Sequence, residues 1–317
     1  MQTDGSLVTG SGTIRISSGT VAVGGGYSVA GTTQISGGNL VCNANASSAQ
    51  TILSSGALGG SATFTGTANF SWTGGAMNGS GTTAIAPAAT LTISGGANVE
   101  VRTLSNAGTA IWNGTGDLFL STGAVINNSG SFTVQNDQRF AYNGGAAPSI
   151  INSGTFTKAG TTGTTSTTGA VLTTNSGLID LQTGILSVSG NYTPASSAVL
   201  AVKIGGTTAG SQFTRLAVAN TASLAGGLQV SLAGGYVPNI GDSFRIITAG
   251  TRTGTFGSVS GLDIGNGRLL ALSYDATGVS AVVVQATPTA TPVPAICPTA
   301  TITPTPTPSA TATPTPR

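Results

Sequence analysis

The sequence predicts an all-β fold: a right-handed parallel β-helix with a C-terminal β capping module and a disordered Thr/Pro tail. Three observations predict it. An Asn-centred motif recurs at a nearly constant interval, short segments alternate apolar and small polar residues, and no longer stretch has helical periodicity. Charged residues make up only 6% of the chain, against about 25% in an average globular domain. Hydrophobic residues make up 39%, which is enough to form a core.

The recurring motif is Asn, a small residue, Gly and then the start of an apolar strand. Its four Asn residues are separated by 22, 24 and 23 positions: Asn106, Asn128, Asn152 and Asn175. Three short strands and three turns use about two dozen residues, so one interval is predicted to be one coil. Each strand then pairs with its equivalent in the next coil at ~4.8 Å. The usual handedness of parallel crossovers favours a right-handed winding.

Stacked coils would place equivalent residues directly over one another. The four Asn side chains are therefore expected to form an amide ladder along the axis, from corners where Asn tolerates a left-handed conformation. The Gly of the motif is expected to remove the steric cost of that corner. The apolar residue four positions after each Asn should point into the core, which would stack Phe132 on Phe156.

Three regions are predicted along the chain. Residues 1–194 form the coils. Residues 195–286 have longer and more apolar strands and are expected to continue or cap the solenoid, because an open last coil exposes unpaired backbone groups. Residues 287–317 hold 9 of the 13 prolines and are expected to be a disordered linker or stalk.

The sequence also limits location and partners. The N-terminus has no basic start and no apolar stretch, so we expect a fragment of an exported protein whose signal peptide is not in this chain. No apolar run approaches the ~18 residues of a transmembrane helix. The net charge of +2 gives no field that would attract nucleic acid. Cys42 and Cys297 are interpreted as two unrelated thiols.

Two segments carry a family resemblance. "FSWTGGAMNGSGTTAIAPAATLTISGG" (70–96) resembles the β-strand repeats of bacterial surface proteins, the haemagglutinin- and autotransporter-like passenger regions. The segment at 205–261, which begins "GGTTAGSQFTRLAVANTASLAGG", resembles the module that often closes such regions. The resemblance implies an exported cell-surface β-helix without catalytic residues. It departs from the family pattern at Phe213, which is followed by Thr214 and Arg215 where the family usually has an acidic residue.

The chemistry-bearing residues point away from an enzyme. No two of the eight acidic residues lie within ten positions of each other or one 22-to-24-residue coil apart, whereas β-helix lyases and hydrolases need clustered carboxylates. The absence of histidine excludes Ser-His and Cys-His arrangements and His-based metal sites. We therefore expect no catalytic residues, no metal and no cofactor.

Other residues at the coil interval suggest contacts. Asp117 and Arg139 are 22 positions apart, so they could form an axial ion pair, or they could be two solvated side chains. Lys158 and Asp180 are also 22 apart, but their motif phases differ by one residue, which would put them on opposite faces. An ice-binding face would need Thr-x-Thr on successive coils, and the segments at 63, 90 and 155 do not keep one interval.

The aromatic residues leave two interpretations open. They could contact a sugar ligand, or they could stack in the core; the candidates for ligand contact are Trp72 and Trp112, with Tyr142 and Tyr192. The sequence thus predicts a non-enzymatic, secreted or cell-surface solenoid of structural or adhesin type, with glycans or other surface proteins as partners. The alternative is a carbohydrate-binding or carbohydrate-active β-helix.

Overall fold

The structure is a computed structural model that describes residues 7–286 together with Thr305 and Ser309. All regular structure in these residues is β-strand, and parallel coils stack into a solenoid of about nine turns. The predicted all-β fold and parallel winding are confirmed. The predicted disordered tail, 287–317, lies outside the described residues apart from Thr305 and Ser309.

The strands follow one another around the coils. Those of the first four coils are β1 (Leu7–Gly10), β2 (Thr13–Ile16), β3 (Thr20–Val23), β4 (Gly26–Cys42), β5 (Ala46–Gly59), β6 (Thr63–Trp72) and β7 (Ala76–Met77). Those of the next five coils are β8 (Thr82–Ile85), β9 (Thr90–Ile93), β10 (Ala97–Glu100), β11 (Thr103–Asn106), β12 (Thr109–Trp112), β13 (Leu118–Ser121), β14 (Val125–Asn128), β15 (Ser131–Val134), β16 (Arg139–Tyr142), β17 (Ser149–Asn152), β18 (Thr155–Lys158), β19 (Thr164–Thr167), β20 (Leu172–Asn175), β21 (Leu178–Leu181) and β22 (Ile185–Val188). The last strands are β23 (Val199–Ile204), β24 (Arg215–Leu224), β25 (Gly227–Leu232), β26 (Ser243–Gly254), β27 (Ser258–Ser260), β28 (Asp263–Gly265), β29 (Arg268–Asp275) and β30 (Gly278–Gln285).

The coils build three parallel walls. The first wall includes β8, β11, β14, β17 and β20; the second includes β9, β12, β15, β18, β21, β23, β25 and β27; the third includes β10, β13, β16, β19 and β22. The long strands β4 and β5 each continue as one strand through two corners, so each of them contributes to all three walls.

Alternation of inward and outward side chains along most of the short strands defines the core. In β15, Phe132 and Val134 are buried while Ser131 and Thr133 face outward, because successive side chains of a strand point to opposite faces. The same phase in every coil joins the inward residues into one continuous hydrophobic cluster along the solenoid axis.

The Gly of the Asn motif has a different role from the one expected. The four Asn residues of the motif do not have positive φ, and neither does Gly130 or Gly154. A Cβ on Gly130 would lie 2.2 Å from the backbone oxygen of Gly108 in the preceding coil, and one on Gly154 would lie 2.1 Å from that of Gly130. The prediction of a left-handed conformation at this corner was therefore wrong. Gly is required here because the backbones of successive coils approach too closely for any side chain.

The C-terminal region both continues the solenoid and changes its pairing. β23 pairs in parallel with β21, and β24 with β22, so residues 7–286 form one compact unit with no break at 194/195. Further on, β30 pairs antiparallel with β26 and with β29. An antiparallel hairpin thus covers the outer edge of β26 and satisfies backbone groups that an open coil would expose.

Candidate functional site

The predicted amide ladder is present. Nδ2 of Asn106 donates to Oδ1 of Asn128, Nδ2 of Asn128 to Oδ1 of Asn152, and Nδ2 of Asn152 to Oδ1 of Asn175, each at 2.7 Å. All four side chains are buried. Each of the first three amides also donates to a backbone oxygen of the next coil at 2.9 to 3.0 Å. Every rung therefore bonds both to a side chain and to the backbone of its neighbour.

The ladder ends differently on its two sides. Asn175 is hydrogen-bonded to the hydroxyl of Tyr192, and burial, opposed in part by that bond, raises the pKa of Tyr192 to about 12. At the other end, Oδ1 of Asn106 is buried and has no hydrogen-bond partner within the described part of the chain. The residue aligned with it in the preceding coil is Ile85, which has no donor to offer.

The predicted aromatic stack is also present. The rings of Phe132 and Phe156 are 5.7 Å apart and inclined by only 8°. Phe140 on the third wall contacts both rings at 6.1 Å. In the adjoining coils Ala110 aligns with Phe132, and Ile179 with Phe156, which confirms the core position four residues after each Asn.

The proposed ligand contacts of the aromatic residues are wrong for both tryptophans. Trp72 and Trp112 are fully buried, and both align with Ile93 in one inward column of the second wall. Trp112 packs edge-on against Phe140 at 4.7 Å. Of the tyrosines, Tyr192 is buried and Tyr142 is half-buried. Strand alternation decides this outcome, because Trp72 lies two positions after the buried Phe70.

A fully buried arginine was not predicted. Arg102 is 0% exposed, and its guanidinium donates five hydrogen bonds: to Oγ1 of Thr83 and to the backbone oxygens of Gly60, Ala62, Asn78 and Thr82. A guanidinium has five N–H donors, so all are used. These acceptors come from successive coils, so Arg102 joins them at one corner. Burial lowers the pKa of Arg102.

Lys158 is a second buried cation. Its Nζ donates to Oδ1 of Asp137 and to the backbone oxygen of Asn136, both at 3.0 Å, and also to Thr161. Burial opposes ionisation of Asp137, but bonds from Thr161 and Lys158 outweigh it and lower the pKa of that carboxyl. Asp180 aligns with Thr157 rather than Lys158, as the one-residue phase difference predicts.

The predicted axial ion pair is confirmed. Arg139 contacts Asp117 at 2.6 Å across one coil, and its Nε and backbone N–H both donate to the same carboxylate. The arginine side chain is 60% exposed. Solvent screening keeps the contribution of such an exposed pair to stability small.

The outward surface of the second wall consists largely of small polar side chains in register. Its first row, one residue per coil, is Thr13, Thr32, Gln50, Asn69, Thr90, Thr109, Ser131 and Thr155. Thr90 and Thr109 are 19 positions apart, and Ser131 and Thr155 are 24 apart, yet both pairs are adjacent. The expectation that a Thr face needs a constant sequence interval was therefore wrong. Turns of different length keep the strands aligned although the number of residues per coil varies. Ile111 interrupts the Thr-x-Thr pattern itself.

Neither metal-ligating side chains among the described residues nor comparison with known proteins adds a further candidate site. Within the described part of the chain there is no group of three or more metal-ligating side chains. The same residues include no helix long and apolar enough to cross a bilayer. The chain matches no protein-family model, and a comparison with curated proteins likewise gives no match.

Proposed function

We propose that this protein is a non-enzymatic, secreted or cell-surface β-solenoid of structural or adhesin type. The observation that carries the proposal is the combination of a side-chain ladder with an outward row of polar, uncharged side chains on the second wall. The ladder bonds one coil to the next through Asn106, Asn128, Asn152 and Asn175, in addition to the backbone pairing of their strands. The outer row of the second wall is polar without charge over eight coils.

These features suit a stiff spacer or display surface. Parallel strands ~4.8 Å apart make a stack of nine coils about 40 Å long. Side chains that bond between coils oppose the local opening to which an edge of a parallel sheet is prone. An outer surface of hydroxyls and amides keeps the rod soluble and gives hydrogen-bonding groups to partners such as glycans or other surface proteins.

Cell labelling tests the proposed location. Antibodies raised against the folded protein should label intact cells of the producing organism, or the surrounding matrix, without permeabilisation. Protease added to intact cells should remove that signal while leaving a cytoplasmic marker. Labelling that requires permeabilisation would contradict the proposal.

Adhesion is tested separately with the purified protein. Beads coated with it should attach to cell or matrix surfaces more than beads coated with the same mass of heat-denatured protein. Equal attachment of both bead types would assign the effect to non-specific adsorption and would leave no adhesin role.

The carbohydrate-binding alternative loses its two tryptophan contacts, because Trp72 and Trp112 lie in the core. A carbohydrate site would therefore have to use polar side chains. One groove near the C-terminal coils has them.

A further inference from the structure

Two neighbouring cavities open on the second wall where the coils become longer. One, of about 230 Å³, is lined by Asp180, Gln182, Ala201, Lys203 and Ser231 among others. The other, of about 260 Å³, shares Gln182 and Lys203 and continues towards Gln212 on the segment between β23 and β24. Because both cavities are lined by Gln182 and Lys203, they adjoin, and we treat them as one groove with Lys203 between its two parts.

Strand register explains the shape of the groove. Ala201 aligns with Asp180 in the coil before it and with Gln229 in the coil after it, so a small side chain lies between two longer ones and leaves a notch. Lys203 aligns with Ser231 in the next coil. On the other side, Gly205 forms part of the second cavity, where a Cβ would come within 2.9 Å of the Cβ of Ala233.

Among the residues that the structure describes, the ammonium of Lys203 has no counterion or acceptor. Of the nine Lys and Arg side chains in the described residues, seven have a hydrogen bond or ion pair, including the fully buried Arg102 and Lys158. The two that have none are Lys203 and Arg15. Only Lys203 of these lines the groove. In a chain this poor in charge, an unpaired cation inside a concave site suits an anionic ligand.

The groove also offers groups for hydroxyls. The carboxylate of Asp180 accepts a bond from Nε2 of Gln182 at 2.8 Å through one oxygen, which leaves the other oxygen as an acceptor. Gln182, which follows β21, and Ser231, which aligns with Lys203 in the next coil, line the same cavity and carry an amide and a hydroxyl. Thr183 lines the second cavity, and its hydroxyl is buried without a hydrogen-bond partner among the described residues.

We propose that this groove binds an acidic saccharide, with a uronate carboxylate on Lys203 and ring hydroxyls on Asp180 and Gln182. Asp180 does not pair with Lys203, and the two lie diagonally on adjacent strands, ~7–8 Å apart at the backbone. A sugar ring that carries one carboxylate and several hydroxyls bridges that gap. A densely sulfated chain would bring further negative charge against Asp180, which disfavours it. This inference does not depend on where the protein is located.

Calorimetric titration with matched oligosaccharides tests the site. The probes are a galacturonate trimer and the corresponding galactose trimer, which differ only in carboxylate against hydroxymethyl groups. The uronate trimer is expected to bind, and the neutral trimer to bind at least tenfold more weakly. Lys203→Gln should weaken uronate binding at least tenfold. Arg15→Gln removes the same charge from the same wall outside the groove and should leave the affinity unchanged.

A second variant separates the charge from the shape of the groove. Ala201→Phe fills the notch but keeps Lys203, and it should also abolish binding. Thermal melting of each variant shows that the fold is intact. The proposal is overturned if the wild-type protein does not bind the uronate trimer at millimolar concentration, or if Arg15→Gln weakens binding as much as Lys203→Gln. Equal or tighter binding of a sulfated oligosaccharide would overturn it as well.

Discussion

The amide of Asn128 donates a hydrogen bond to Oδ1 of Asn152, 24 positions further along the chain, at 2.7 Å. Both side chains are buried, and their strands β14 and β17 pair in parallel with these two residues aligned. The bond therefore reports the winding of the chain directly, because no local structure could bring these residues together.

Asn128→Ala should destabilise the fold strongly. The change removes the bonds of the Asn128 amide to Asn152 and to the backbone of Thr155, and it leaves Oδ1 of Asn152 buried without a donor. A buried polar group without its partner costs ~1–3 kcal/mol, so we expect a loss of at least ~2 kcal/mol in the free energy of unfolding. Asn127→Ala is the matched control, because Asn127 faces outward. Equal losses for the two variants in denaturant titrations would contradict the ladder.

The end of the ladder should be less costly to remove than its middle. Oδ1 of Asn106 already lacks a donor, whereas Oδ1 of Asn152 accepts the amide of Asn128. Asn106→Ala therefore breaks fewer side-chain bonds than Asn152→Ala, and it removes an unsatisfied buried oxygen. We expect the loss for Asn106→Ala to be smaller by ~1 kcal/mol. Free energies of unfolding measured for both variants under the same conditions test this. A larger loss for Asn106→Ala than for Asn152→Ala would show that each Asn does not donate to the Asn of the following coil.

Phe156→Ala should cost ~3–5 kcal/mol, as expected for truncating a core aromatic residue. Phe156 is 6% exposed and contacts the rings of Phe132 and Phe140. Phe119 is the control, because it is 40% exposed on the third wall. Phe119→Ala should change stability by less than ~1 kcal/mol. If the melting temperature of Phe156→Ala matches that of the wild type, Phe156 is not in the core.

Arg102→Lys should be poorly tolerated despite the retained charge. A lysine ammonium has three donors on a flexible stem and cannot reproduce the planar fork that bonds five acceptors. Carbonyl groups left unpaired in the core should cost ~2 kcal/mol or more. Arg15→Lys, at an arginine without bonded acceptors, should stay within ~0.5 kcal/mol of the wild type. Indistinguishable melting curves for the two variants would remove the structural role of Arg102.

Alkaline pH should destabilise the fold partly through Cys42. Burial raises the pKa of its thiol from 9.0 to about 11, against the smaller opposing effect of the Arg102 charge. Between pH 9 and pH 11 the unfolded chain loses this proton while the folded protein keeps it, so stability falls as pH rises. The thiol accounts for ~2–3 kcal/mol of that fall.

Cys42→Ala tests the alkaline prediction. Urea titrations at pH 8 and pH 11 should show a smaller loss of stability for the variant than for the wild type. The burial-raised pKa of Tyr192, about 12, adds a further fall above pH 10 that the variant keeps. Parallel losses in both proteins would mean that the thiol ionises equally when folded and unfolded.

The amide ladder and the phenylalanine stack could be predicted from the sequence, because in each a recognisable residue type recurs at about the length of one coil. Asn106, Asn128, Asn152 and Asn175 needed only their spacing to be placed over one another. Trp72 and Trp112 could also have been assigned to the core from strand alternation, but their frequent use in sugar binding left a second interpretation open. The structure decides between the two interpretations.

Arg102 could not be placed from alternation, because the backbone reverses the pattern at that point. Val101 has a positive φ of 62° and is exposed, which turns the following Arg102 inward.

The groove at Lys203 could not be predicted from the sequence for another reason. Its residues come from coils of unequal length, so their alignment depends on how many residues each turn takes up. Turn length cannot be determined without the register that the structure provides.

The most direct test of the winding is a set of distances along the second wall. Spin labels are placed at Thr32 and, in separate samples, at Thr109, Ser131 or Thr155, in protein whose native cysteines are replaced by alanine. These positions are four, five and six coils from Thr32. The labels should be about 19, 24 and 29 Å apart, which is ~4.8 Å for each added coil. Distances that do not rise by a near-constant step from Thr109 to Ser131 to Thr155 would contradict the solenoid.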